Sequence, residues 1–285
     1  MGALILARRT IAVLLLLGAP TIGQMRQQSS PMVEHIRPHT RLKQHSPPGT
    51  RHELELGTLY VPPRHAKQPP LLFFFHGGTW LPEVAAYQTR MAVVSIQIGE
   101  GSGAYQQAFS DPDRFHRLLK QASAKSRLRF GPVTLAGWSA GCGALRQLLR
   151  TPSIYQRTAS VICIDGVHTD YVNGTPGPLE SEIGKDKLGV WVKFARDAVA
   201  RRKRMLITHS EIFPGTFAST TETADFILNQ LGLKRRPVVR NGPMGTQIVN
   251  YTRAGRFTLI GFAGNSAPDH VDQLHSLPQL LRTLR

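Results

Sequence analysis

A single-domain α/β fold is what this sequence predicts: a doubly wound, mostly parallel sheet flanked by helices. Three observations predict it. Short continuous apolar runs such as Leu71 to Phe75 read as strands buried on both faces, as in a parallel sheet. These runs alternate with helical stretches from residue 53 onward, and no internal repeat divides the chain. The residues suited to chemistry fall where a strand hands over to a helix, the edge at which open parallel sheets bind ligands.

The elements follow in order. Glu53 to Val61 alternates as one edge strand or hairpin arm, and Pro62-Pro63 ends it. Leu71 to Phe75 is the first buried strand and Val93 to Ile98 the next. Asp111 to Ser123 reads as a helix with Asp111 as N-cap and Pro112 in its first turn. A strand at Val133 to Ala136 precedes a helix from Ala140 to Arg150, which Thr151-Pro152 stops. A strand at Val161 to Ile164, a helix at Val190 to Arg201 and a strand at Met205 to Thr208 continue the alternation. The helix Thr220 to Leu231 carries Ser219 and Glu222 at capping-box spacing. Thr246 to Tyr251 and Arg256 to Phe262 form a hairpin about Ala254-Gly255, and Val271 to Leu284 closes the chain as a helix interrupted near Pro278.

Composition narrows the function. The 285 residues are 41% hydrophobic, enough for a sizeable core, and carry a formal charge of +17. The charge is scattered, with short runs at Arg201 to Arg204 and Lys234 to Arg236. No basic stripe interleaved with aromatics is present, so a specific nucleic-acid groove is not expected. An acidic surface polymer remains a partner that such a field would attract. Cys142 and Cys163 form no CxxC pair; their core positions favour buried thiols, and export would permit a disulfide between them. The 11 histidines include no HExxH pattern and no His pair at helical spacing with carboxylates, so no metal is expected.

Residues 1–23 read as a signal peptide: Arg8-Arg9, an apolar run from Ile11 to Leu17, then small residues. The run is too short for a stable membrane span. A secreted or periplasmic location follows, and removal of the segment would leave +15. Residues 24–52, rich in Gln, Ser, Pro and His, read as a mobile leader, with 53–285 as the folded domain.

Within that domain, Gly137-Trp138-Ser139-Ala140-Gly141 lies between a strand and a helix. A sharp turn there lifts the Ser139 hydroxyl above the sheet as a nucleophile, and the flanking glycines permit it. His76-Gly77-Gly78 follows the first buried strand. Gly78 (or Thr79) could aim one backbone N–H at an oxyanion, with Ala140 as the second donor. His270, after the last strand, is the candidate base; His275 would sit inside the final helix. Two carboxylates satisfy the chain order for the acid. Asp165 is favoured because it ends an apolar strand, where a buried carboxylate needs a partner; Glu211 is the alternative. Asp170 lies further from its strand, and Asp269 adjoins His270 and would point elsewhere. Trp80, Trp138 and Tyr171 are candidates for lining a substrate pocket.

Together, His76-Gly77-Gly78, the Gly137 to Gly141 pentapeptide, Asp165 and His270 resemble the α/β-hydrolase superfamily over residues 53–285, and its secreted esterases and lipases in particular. The resemblance implies an acyl-enzyme mechanism with a Ser–acid–His triad and no cofactor, acting on a small-molecule or polymeric ester. The same triad would serve an acyltransferase or peptidase, and the fold alone could serve a non-catalytic binding module. Many members of the superfamily place the acid after the strand that here precedes Glu211. Residues 166–189 are the expected cap or rim.

Overall fold

The computed structural model describes residues 41–174, 176 and 182–284. The expected signal segment 1–23, residues 24–40 of the expected leader and parts of the expected rim (175 and 177–181) lie outside the described residues. Among the described residues, ten strands form one sheet in the order β1-β2-β4-β3-β5-β6-β7-β10-β9-β8. The strands are β1 Thr50–Glu53, β2 Thr58–Val61, β3 Leu71–Phe75, β4 Ala92–Ile96, β5 Val133–Trp138, β6 Thr158–Ile164, β7 Arg204–His209, β8 Pro237–Asn241, β9 Gln247–Ala254 and β10 Phe257–Phe262. The run from β4 through β3, β5, β6 and β7 to β10 is parallel, and both margins are antiparallel. The doubly wound, mostly parallel sheet read from the sequence is the observed fold.

The period of two along β3 divides the core. Leu71, Phe73 and Phe75 join one apolar cluster, while Leu72 and Phe74 join the other. The first face is covered by α2 Ser102–Ala108, α3 Pro112–Ser126, α4 Cys142–Leu148, α5 Pro152–Arg157, α6 Gly189–Val199 and α7 Thr220–Gln230; α1 Trp80–Thr89, α8 Ala267–His275 and α9 Leu277–Thr283 cover the second. Each fully buried Phe or Leu contributes about 1.5–3 kcal/mol.

Caps read from the sequence are in place. The Asp111 carboxylate accepts from the Asp113 N–H at 2.9 Å, and Ser219 with Glu222 forms the capping box of α7. Other boundaries differ. The expected strand 53–61 is a hairpin, because Gly57 takes φ +84° and Leu54 N–H bonds the Gly57 carbonyl at 3.0 Å. The expected helix 140–150 begins as a 3-10 turn at Ser139–Gly141 and stops before Thr151-Pro152 as expected, but Pro152 also opens the unforeseen α5. The last helix starts at Ala267, four residues early, and breaks at Ser276, so His270 lies in the first turn of α8. The short α1, α2, α5 and β8 gave no periodicity long enough to read.

The described end of the leader is docked. Arg41 Nε donates to Asp272 at 2.7 Å, Leu42 N–H to His275 Nδ1 at 3.1 Å, and Tyr60 OH to the Pro48 carbonyl at 2.8 Å. The mobile leader expected over 24–52 therefore gives way, over 41–52, to a segment held against α8 and opening β1. Among the described residues no helix is long and apolar enough to cross a membrane.

The cysteines, for which free buried thiols were favoured, form a disulfide: Cys142 in α4 and Cys163 in β6 have Cα atoms 6.0 Å apart. It ties the helix after Ser139 to the strand before Asp165. Reduction, or Cys142→Ser with Cys163→Ser, is expected to lower stability by about 2–4 kcal/mol in chemical denaturation.

Candidate active site

Three parallel strands end in non-glycine residues at positive φ: His76 after β3 (φ +72°), Ser139 after β5 (φ +49°) and Asp165 after β6 (φ +44°). These strands are neighbours in the sheet. Left-handed backbone costs energy for a residue with a Cβ and clusters at working sites. Here it turns each side chain off the sheet at one edge.

Close packing enforces the Ser139 turn. A Cβ on Gly137 would lie 2.8 Å from the Gly141 carbonyl carbon, and one on Gly141 would run into the Phe75 carbonyl oxygen. A Cβ on Gly166 would lie 2.7 Å from Cys142 Sγ and 2.9 Å from Ser139 N. Gly166 was not singled out from the sequence; its place directly after Asp165 is the signal that could have found it.

Asp165 is buried, 2% exposed, and its carboxylate is filled. Oδ2 accepts from His270 Nδ1 at 2.7 Å and from Gln273 Nε2 at 3.2 Å. Oδ1 accepts from the Ser210 N–H at 2.9 Å and from Thr220 Oγ1 at 2.6 Å. Burial alone would raise this carboxyl. The bond and charge of His270, with the bonds from Thr220 and Ser210, outweigh it and hold the group at about 2. Gln273 was missed, although it stands three residues after His270 on the same helical face.

Glu211, the alternative acid, is occupied elsewhere. Its carboxylate accepts from the Gly264 N–H at 3.0 Å, and its own N–H donates to the Gly264 carbonyl at 3.0 Å. It fastens the loop after β7 to the loop after β10 and makes no bond to His270 among the described residues. Asp170 pairs with Lys187, and Asp269 caps α8 with Ser266.

Ser139, Asp165 and His270 line one cavity of about 330 Å³, with Ile212, Pro214 and Phe217 among its walls. A second cleft of about 410 Å³ shares Ser139 and is lined by His76, Ala140, Arg146 and Lys187 among others. Ala140 therefore faces a cleft beside Ser139. Gly78 lines neither, and the Gly77 N–H is taken by Gln97 Oε1 at 2.9 Å. Between the clefts stands His168, which burial, opposed by Asp165, lowers to about 4 and so keeps neutral near pH 7.

The three aromatic pocket candidates line neither cleft. Trp138 stacks on His76 (centroids 5.1 Å) and tilts against His270 (4.6 Å), and its Nε1–H donates to the His270 carbonyl at 3.1 Å. Trp80 packs toward His275 at 5.7 Å. Tyr171 is buried, donating to Glu222 at 2.8 Å. A large ring next to a small backbone turn fills space, so these side chains pack while the loop after β7 supplies the apolar wall. Among the described residues, no group of three or more His, Cys, Asp or Glu is placed to hold a metal ion.

No protein-family pattern and no curated protein sequence matches the chain. Solved structures resemble it. A carboxyl esterase from the mycorrhizal fungus Tuber melanosporum shares 14% identity over 89% of this chain and 92% of that one, with a TM-score of 0.47. An esterase of Pyrobaculum calidifontis shares 12% over 87% and 85%, at 0.46. An acetyl xylan esterase from Aspergillus awamori shares 12% over 77% and 93%, at 0.43. These are likenesses of backbone arrangement at low identity, without residue-level correspondence.

Two outcomes follow from this geometry. Gly141→Ala is expected to lower stability by about 1–3 kcal/mol in urea denaturation, since the Phe75 carbonyl must move. The Asp165 carboxyl titrates at about 2 folded, against 3.8 as its ordinary value. Its contribution to stability is therefore present above 3.8 and lost as pH falls toward 2. Asp165→Asn removes that component, so its stability should change less steeply over this interval than the wild type's.

Proposed function

We propose that this chain is an exported serine hydrolase that cleaves carboxylic esters through an acyl-enzyme on Ser139. The observation that carries the reading is the His270–Asp165 bond of 2.7 Å in a cavity that Ser139 also lines. His270 Nδ1 is the donor to Asp165, which leaves Nε2 as the free base of the neutral tautomer.

In this reading His270 takes the Ser139 proton as Oγ attacks the acyl carbon. Asp165 stays ionised, fixes the ring and stabilises the imidazolium. The N–H of Ala140, which lines the polar cleft beside Ser139, receives the oxyanion, and such a donor contributes about 2.7–4 kcal/mol to the transition state. His270 then protonates the leaving alcohol, and water hydrolyses the acyl-enzyme by the same route reversed. The disulfide supports export, because such bonds persist in oxidising compartments.

The test is hydrolysis of short p-nitrophenyl esters, together with labelling by a fluorophosphonate. Ser139→Ala and His270→Ala should each lower kcat about a millionfold, and Asp165→Asn about ten-thousandfold. Glu211→Gln should stay within an order of magnitude of wild type. Turnover that survives Ser139→Ala, or a wild type that neither turns over nor labels, would overturn the proposal.

A further inference from the structure

Ser139 is bordered by two clefts of different chemistry. His270 lines only the apolar one, against Ile212, Pro214 and Phe217, while Ala140 lines only the polar one. The leaving oxygen must meet the imidazole of His270 to be protonated. The alcohol part of an ester therefore belongs in the apolar cavity, and the acyl part extends past Ala140 into the polar cleft.

The charges of that cleft balance in number, Arg146 and Lys187 against Glu100 and Asp170, but they are not all paired. Lys187 is paired with Asp170, and Glu100 stands exposed at the rim. Arg146 differs: it is only 6% exposed, and its guanidinium meets neutral oxygens, the His168 carbonyl at 3.2 Å and Gln106 Oε1 at 2.7 Å. Its buried Nε, like the buried Nδ1 of His168, meets no acceptor among the described residues. Burial, with Arg150 adding to it, lowers the Arg146 guanidinium from its ordinary value; Asp170 and Asp186 oppose this from a distance, and neither carboxylate forms an ion pair with it among the described residues. A buried cation bonded only to neutral oxygens lacks the counter-charge that buried charges ordinarily have.

We propose that the polar cleft is an acyl subsite for substrates whose acyl chain carries an anionic end, such as hemiesters of dicarboxylic acids, with Arg146 supplying the recognising charge. This rests on Ser139 and His270 acting as proposed above. Arg146 would be a specificity-determining residue that takes no part in bond making.

The test compares mono-4-nitrophenyl esters of adipic and suberic acid with their neutral monoamide counterparts, at low and high salt. Wild type should favour the anionic ester in kcat/KM at one chain length at least, and Arg146→Gln should lower that ratio about tenfold, the scale of one charge-assisted hydrogen bond. Because a buried arginine can be needed for folding, the wild-type ratio stands as a measurement of its own. If neutral esters are cleaved and the anionic ones are not favoured, the subsite is wrong while the hydrolase reading holds. Titration of adipate monoamide against adipamide into the Ser139→Ala protein needs no turnover. Preferential binding of the anion supports the subsite even if no ester is cleaved; equal binding overturns it.

Discussion

The Asp165 carboxylate is the point from which the site is held together. Its four donors come from separate places in the chain: the start of the loop after β7, the first residue of α7, and two positions one turn apart on α8. A buried carboxylate is costly unless each lone pair is met, so these elements can pack only where they meet it. The sheet brings the strand ends into one row, and the carboxylate fixes how the covering helices close over them. Thr208 extends the arrangement: its hydroxyl bonds Gln273 Oε1 at 2.6 Å, which orients the amide that donates to Asp165.

Backbone strain at the same edge has a matching source of compensation. His76, Ser139 and Asp165 all hold positive φ at the ends of adjacent strands, a cost of order 1–3 kcal/mol each. The strands beneath them are mostly apolar and almost wholly buried, and the disulfide joins the helix after Ser139 to the strand before Asp165. A rigid sheet with a strained upper edge differs from a flexible site: the side chains stand in place before any ligand arrives, so less reorganisation is left for the moment of reaction.

What was legible in the sequence follows from how local each signal is. The fold was read from apolar runs of strand length and from caps such as Asp111 and Ser219, which act within a few residues. Ser139 and His76-Gly77-Gly78 were readable because turns at strand ends demand small neighbours. The choice between Asp165 and Glu211 was only partly legible, since both follow a parallel strand and chain order admits both. The structure separates them by what lies opposite: His270 faces Asp165, while the backbone of Gly264 faces Glu211. Thr220 and Gln273 were not singled out because their partner is distant in sequence. The Cys142–Cys163 bond was only one of two readings, because burial in the core is equally natural for a thiol and for a disulfide.

Trp138 shows what an aromatic ring beside Ser139 does when it lines neither cleft there. Directly before Ser139, its ring lies between His76 and His270 and its indole N–H holds the His270 carbonyl. A side chain that spaces His76 from His270 cannot change size without moving both. The apolar wall comes instead from Ile212, Pro214 and Phe217, on a loop whose near end is tied down by Ser210 at Asp165 and Glu211 at Gly264. Beyond those ties the loop bears no part of the Asp165–His270 arrangement. Ile212, Pro214 and Phe217 make none of the bonds to Asp165 or His270 among the described residues, so this part of the wall can be altered while that arrangement keeps its distances.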